Sequence, residues 1–252
     1  MNATFDPRTH RPASGELEGR VIAVTGASDG LGRAVALDCA RYGATVVLLG
    51  RNQRKLDSVL SEIDAVNPGR STVAVLDLER ALAGDYDRLA AAVLERFGRL
   101  DGLLHNAALL GTLTPIEHYD VPMWCRVLHV NLTAAFALTQ VLLPALKRSP
   151  DASILFTSSG VGRHGRAYWG AYAVSKFGLE GLAQVLSAEL SDISPIRVNA
   201  INPGRARTRM RQQAYPAENP AALPTPESLT APYLALLGPA SRGVSGASFD
   251  AQ

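Results

Sequence analysis

The chain alternates short apolar runs with longer stretches whose apolar residues recur at helical spacing. Val21-Ile22-Ala23-Val24, Thr45-Val46-Val47-Leu48-Leu49, Val73-Ala74-Val75-Leu76 and Leu103-Leu104-His105 read as the first four strands. Ser153-Ile154-Leu155-Phe156-Thr157 is the fifth, residues 196–201 the sixth and Ala247-Ser248-Phe249 the seventh. Consecutive rather than alternating apolar positions are the pattern of strands buried on both faces. Between them, one helix opens at a glycine-rich turn and runs to about Tyr42, where Gly43 suits a C-terminal stop. Another spans Tyr86 to Phe97, with Leu89, Val93, Leu94 and Phe97 at helical spacing. The alternation predicts one doubly wound α/β domain over residues 20–252, a parallel sheet of about seven strands with helices on both faces. Residues 1–19, with Pro7, Pro12, Ser14 and Gly15, carry no periodicity and read as a flexible arm.

Composition narrows the class. The chain has 252 residues, 47% of them hydrophobic and 19% charged, which is ordinary for a globular domain with a substantial core. Its 25 basic and 23 acidic side chains leave a net charge of +2, so no electrostatic footprint for nucleic acid exists. The polar N-terminus, Met1 to Pro12, lacks the apolar run of a signal peptide, and no apolar stretch is read as long enough to span a membrane. Cys39 and Cys125 both fall in helical patterns and match no metal-ligand spacing. They read as small buried residues in a reducing compartment, so a cytoplasmic protein without metal, membrane or nucleic-acid partner is expected.

The chemistry lies in two clusters. Thr25-Gly26-Ala27-Ser28-Asp29-Gly30-Leu31-Gly32 joins the first strand to a helix N-terminus. Such a turn offers free backbone N–H groups and a helix dipole to a pyrophosphate, and glycines let the phosphates come close. Its spacing, G-x-x-x-G-x-G, also describes a plain tight turn. After the second strand comes Gly50-Arg51, where an acid would bind a free ribose 2′-hydroxyl and a guanidinium suits a 2′-phosphate. This favours NADP(H) over NAD(H), although Arg51 also reads as an exposed helix-start residue and Asp29 complicates a phosphate site. Asp77, followed by Leu78, is placed to meet an adenine edge or to cap the next segment. In the second cluster, Tyr172 and Lys176 are four residues apart and share a helix face, so the ammonium can approach the phenol. A free tyrosine titrates near ~10, and a cation that favours phenolate would bring its proton exchange toward neutrality. The pair alone also describes a solvated surface contact. With Ser159 thirteen residues before Tyr172 and the glycine turn upstream, the leading reading is a carbonyl/alcohol redox site on a dinucleotide fold.

With these residues assembled, the chain resembles the short-chain dehydrogenase/reductase family from about Arg20 onward. The shared elements are the glycine turn, Asn106-Ala107-Ala108, Val130-Asn131-Leu132, Ser159, the Tyr172/Lys176 pair and Asn202-Pro203-Gly204. Within the family it looks like the YciK group of bacterial oxidoreductases, through Arg41-Tyr42-Gly43-Ala44-Thr45-Val46, Phe156-Thr157-Ser158-Ser159, Trp169-Gly170-Ala171-Tyr172 and Phe249-Asp250-Ala251-Gln252. The resemblance implies a Rossmann fold and a set of roles. Tyr172 would be the general acid/base, Lys176 would hold the nicotinamide ribose and stabilise the phenolate, and Ser159 would orient the carbonyl, with Ser158 its competitor. Asn131 would position a relay water, a role compatible with a helical asparagine that bridges backbone groups. Asn106 would support the sheet beside the adenosine, Pro203 and Gly204 would border the cofactor, and Thr208 would meet the carboxamide or serve as an N-cap. Relatives form homodimers or homotetramers through the helices that hold Cys125 and Tyr172. Two departures stand out: His105-Asn106-Ala107-Ala108 replaces the usual Asn-Asn-Ala-Gly, and no Asp-Gly-Gly follows the last strand.

Residues of about 205–226 are expected to cover a small carbonyl or alcohol substrate. The arginines there, Arg205, Arg207, Arg209 and Arg211, read as a solvated face or as an attractor for an anion. His164, Trp169 and Tyr215 are further pocket candidates, although Trp169 also suits packing and His164 a solvent-facing loop. A non-catalytic NADP(H)-binding sensor or scaffold is the main rival function, and a nicotinamide-dependent epimerase or lyase the other. The intact set Asn131, Ser159, Tyr172 and Lys176 favours the reductase.

Overall fold

The computed structural model describes residues 5–252. Seven strands form: β1 (Val21–Thr25), β2 (Thr45–Gly50), β3 (Thr72–Val75), β4 (Gly102–His105), β5 (Ser153–Thr157), β6 (Arg197–Asn202) and β7 (Ser248–Asp250). They make one sheet in the order β3-β2-β1-β4-β5-β6-β7, with every pairing parallel. Each expected strand is present, with ends displaced by about a residue at β3, β6 and β7, as fraying termini allow. The order reverses between β1 and β4, which opens a crevice at the carboxyl ends of the strands.

Successive strand residues point to opposite faces, and the core divides accordingly. Ile22, Val24, Val46 and Leu48 face α1 (Gly30–Arg41), α2 (Gln53–Asp64) and α8 (Ala231–Leu237). Ala23, Val47, Leu49, Leu103 and Ile154 face α3 (Ala83–Phe97), α5 (Ala134–Leu146) and α6 (Gly170–Leu190). Gly43, with φ +102°, follows the end of α1 as expected of a stop residue.

Three expectations need correction. Residues 5–19 are packed rather than free: Leu17 is fully buried, Pro7 is buried in a short turn of helix, and the Phe5 ring meets Phe249 edge-on at 5.6 Å. Isolated anchors of this kind leave no periodic trace in sequence. Residues 1–4 lie outside the described residues. Second, α4 (Val121–Leu128), a π-helical turn at His129–Thr133 and α5 form 26 consecutive helical residues, long and apolar enough by length and composition to cross a bilayer. Arg126, His129 and Asn131 interrupt its apolar run, and its Leu138, Leu142 and Leu146 are buried in the core. Third, Cys39 is buried, but Cys125 is exposed on α4.

The amino edge of the sheet is bound by charge. The Asp151 carboxylate receives Arg20 Nη1 at 3.1 Å, Arg197 Nη2 at 3.0 Å and Arg242 Nε at 3.0 Å. Asp101 accepts from the Val21 backbone N–H at 2.8 Å, from Arg99 Nε at 3.0 Å and from Ser149 Oγ at 2.6 Å. These contacts link the amino ends of β1, β4, β5 and β6, whereas the glycine turn, Ser159 and Pro203 all sit at the carboxyl edge.

Candidate active site

A cavity of about 650 Å³ follows the carboxyl edge from the glycine turn to Tyr172. At one end, Gly26 (φ +67°) and Gly30 (φ +52°) occupy the left-handed region, which glycine enters without strain. A Cβ on Gly32 would be driven into the Gly26 carbonyl oxygen and Asn106 Nδ2. Thr25 explains that crowding: its Oγ1 accepts from the Asn106 and Ala107 backbone N–H groups at 2.9 and 3.1 Å and donates to Leu104 O at 3.2 Å. Asn106 Nδ2 returns to Thr25 O at 3.4 Å, so β1 and β4 are stitched directly beneath the turn. A bare, N–H-rich cradle that a single methyl group would fill fits a dinucleotide pyrophosphate. Gly26, Ser28, Asp29, Gly30 and Leu31 line the cavity, while Gly32 supports the turn from beneath.

Beside the turn, the cavity wall is ionic. Arg51 lines the cavity with its Nη1 at 3.5 Å from Glu79 Oε2, and Arg126 shares that carboxylate at 2.8 Å. Asp29 caps α1 by accepting from Gly30 N at 2.8 Å and is paired with Lys55 Nζ at 2.8 Å. Lys55 holds the Asp29 carboxyl below the usual carboxylate range, with a smaller contribution from Arg209. Lys55 was missed in the sequence. It lies on α2, whose N-cap Asn52 accepts from the Lys55 N–H at 3.0 Å, and an exposed helical lysine carries no distinguishing pattern. Asp77 and Leu78 both line the cavity, and Asp77 Oδ1 also accepts from Glu79 N at 3.1 Å.

At the other end, Ser158, Ser159, Trp169, Tyr172 and Lys176 converge with Pro203, Gly204 and Thr208. Lys176 Nζ lies 5.5 Å from the Tyr172 ring centroid and donates to Thr157 O at 2.7 Å. Lys176 is 2% exposed, and burial lowers its pKa to about 8 against the opposing charge of Glu180. The expected depression of the phenol pKa is reversed: burial pushes Tyr172 up to about 12, only partly offset by the Ser159 hydroxyl. Burial disfavours the charged form by more than the Ser159 hydrogen bond favours it, so Tyr172 is held as neutral phenol. Ser158 Oγ is buried and unpartnered, while Ser159 is the more accessible serine.

Asn131 stands apart from the cavity wall. It sits in the π-helical turn, 1% exposed, where its Oδ1 accepts from Leu109 N at 2.7 Å and its Nδ2 donates to Leu109 O at 2.9 Å and Ser175 Oγ at 3.0 Å. It therefore bridges backbone, a structural role compatible with the expected relay, and fixes Leu109 on the wall. Thr208 is both a wall residue and the N-cap of α7 (Arg209–Ala214), accepting from Arg211 N at 3.2 Å. His105 is a core residue, stacked on Phe156 at 4.8 Å and pushed down to about 3 by burial. His164 is exposed and outside the cavity, and Tyr215 borders a smaller neighbouring one.

A clamp at the loop after β6 was also missed. Gln252 Nε2 donates to Pro203 O at 2.6 Å and Arg205 O at 2.8 Å, across Gly204 at φ +72°. Asp250 Oδ1 accepts from Asn202 Nδ2 at 2.8 Å and Arg163 Nη1 at 2.9 Å, which joins this loop to the one after Ser159.

The profile of the short chain dehydrogenase family matches residues 20–219. The chain is 48% identical over 243 residues to the uncharacterized oxidoreductase YciK of Escherichia coli K12, covering 96% of each chain. A short chain dehydrogenase structure from Pseudomonas syringae is 50% identical, with a TM-score of 0.95 over 99% of this chain and 100% of that one. Another, from Escherichia coli CFT073 and complexed with NADPH, is 48% identical, with a TM-score of 0.92 over 95% of this chain and 100% of that one.

Proposed function

The chain belongs to the short-chain dehydrogenase/reductase family, and from that premise we propose that it is an NADP(H)-dependent reductase acting on a small carbonyl compound, with Tyr172 as the general acid. The observation that carries the reading is the convergence of Tyr172, Ser159 and Lys176 at one end of a cavity whose other end is a phosphate cradle. A bound reduced nicotinamide supplies a hydride. This chain's part is to hold the carbonyl and provide the proton. Ser159 Oγ donates a hydrogen bond to the carbonyl oxygen, and the neutral Tyr172 phenol passes its proton to that oxygen as negative charge develops there. A phenol loaded with its proton at neutral pH suits the reductive direction. Lys176, anchored on Thr157 O, would hold the nicotinamide ribose, and its positive charge would favour the phenolate left after transfer.

The preference for NADP(H) rests on Arg51 and Lys55, two cations bordering the ribose end. A phosphate would draw Arg51 from Glu79 and Lys55 from Asp29, exchanging carboxylate partners for a more highly charged one. Assembly as a homodimer or homotetramer through α4, α5 and α6 belongs to the same reading, supported by exposed Phe136, Val174 and Phe177. So does a cytoplasmic setting, supported by two free thiols.

The test is NADPH oxidation over a panel of aldehydes, ketones, quinones and 3-oxoacyl thioesters, run beside Tyr172→Phe. NADPH binding is expected to persist in the variant while turnover falls by about 10²–10⁴-fold. Equal turnover in the two proteins would remove Tyr172 from the mechanism, and tight binding without turnover of any compound would shift weight to the non-catalytic NADP(H)-binding reading or to a substrate outside the panel.

A further inference from the structure

We propose that the site takes an uncharged carbonyl compound with an apolar or aromatic flank, and discriminates against one bearing a carboxylate or phosphate on that flank. The inference rests on the reductase reading and names its substrate class. The apolar part of the lining that the cavity adds to Tyr172 and Ser159 includes Leu109, Leu110, Trp169, Met210 and Ala214, with Arg211 and Gln213 as polar residues from the same short helix as the last two. Trp169 is fixed from two sides, its ring 5.7 Å from that of Tyr172 and 5.9 Å from that of Tyr215. A flat, rigid indole beside the proton donor favours a flat or apolar flank, which it buries without ordering a flexible side chain.

Three of the arginines that could have made this an anion site, Arg166, Arg207 and Arg211, are committed to other partners. Arg211 is held in a fork by Glu218, at 2.6 and 2.7 Å, and lies 3.7 Å from the Tyr215 ring centroid. Arg207 donates to Ala221 O and Leu223 O, and Arg166 to Tyr215 OH at 2.6 Å. Arg209 lines the cavity at its phosphate end: it follows Thr208, which overhangs Gly30, and it lowers the Asp29 pKa. Arg205 is exposed and outside the wall. An anion seated against Trp169 would lose part of its hydration, and the arginines beside it, Arg166 and Arg211, already hold Tyr215 and Glu218. The reaction balances as before. The carbonyl carbon gains a C–H bond from the hydride and the oxygen takes the Tyr172 proton, so the carbonyl is reduced by two electrons while NADPH becomes NADP⁺.

Matched pairs test the class: para-formylbenzoate against its methyl ester, and cyclohexanone para-carboxylate against its methyl ester. In a Trp124→Phe background Trp169 is the single tryptophan, and its quenching in the NADP⁺ complex reads binding without turnover. The esters are expected to bind at least tenfold more tightly than the acids, and kcat/KM with NADPH to differ at least tenfold, mainly through KM. Glu218→Gln releases Arg211 and should narrow that ratio at least threefold by lowering the acid's KM. Acids that bind or turn over as well as esters, or esters that bind no more than the acids, overturn the inference while leaving the reductase intact. Ester binding without any turnover removes the reductase and leaves the ligand preference standing.

Discussion

Replacing Asp151 with asparagine should unfold this protein far more readily while leaving its cofactor site intact. The carboxylate is the shared partner of three guanidinium groups, and two of them, Arg20 and Arg197, are buried. Burial already pulls the Arg197 pKa down to about 10, with Asp151 the leading opposing influence. At an effective dielectric of 20, each contact near 4 Å is worth about 4 kcal/mol of gross attraction. Most of that is consumed in desolvating the ions, and breaking a buried pair from one side leaves a net loss of about 3–5 kcal/mol. For a chain of this length that corresponds to roughly 10 °C in Tm. Arg242→Ala is the internal control: its side chain is 69% exposed, so losing the same carboxylate contact should cost less than about 1 kcal/mol. Urea denaturation of the three proteins, with NADPH titrated into each, measures both properties. An Asp151→Asn loss no larger than that of Arg242→Ala would refute the argument, as would NADPH affinity falling in step with stability.

The buried Lys176 gives a pH signature. Its folded pKa of about 8 lies below the ordinary lysine value of 10.5, so the unfolded chain binds the extra proton between those values and this group's contribution to stability rises as pH climbs through that window. Lys176→Met should remove that slope, read as ligand-free denaturation midpoints at pH 7.5, 9 and 10. Gly32→Ala should weaken NADPH binding at least tenfold, measured by fluorescence titration, because the methyl forces the turn off the Gly26 carbonyl. Gln252→Ala removes two hydrogen bonds to the loop carrying Pro203 and Gly204, and should cost about 1 kcal/mol in stability and raise the NADPH Kd several-fold in the same titration.

The strands were legible because a parallel sheet covered on both faces demands continuous apolar runs, and Thr45–Leu49 or Ser153–Thr157 can hardly be read otherwise. The site residues that announce themselves are those bound to local spacing: glycines at a strand-to-helix turn, and Tyr172 and Lys176 one helical turn apart. What stayed hidden joins distant positions. Arg20 meets Asp151 across 131 residues, and Lys55 meets Asp29 from a different helix. The reversed pKa of Tyr172 was hidden for a related reason, since the direction depends on how deeply the phenol is buried rather than on its spacing from Lys176. Likewise Asn131 is explained by the Leu109 backbone it holds, a partner that no helical periodicity foretells.

Because every strand runs the same way, the sheet acts as a partition between inheritance and innovation. The ion cluster at the amino edge secures the register of β1, β4, β5 and β6, while the residues that would choose a substrate hang from the opposite edge. A lineage with this architecture is free to try new chemistry on one rim without wagering the fold on the other.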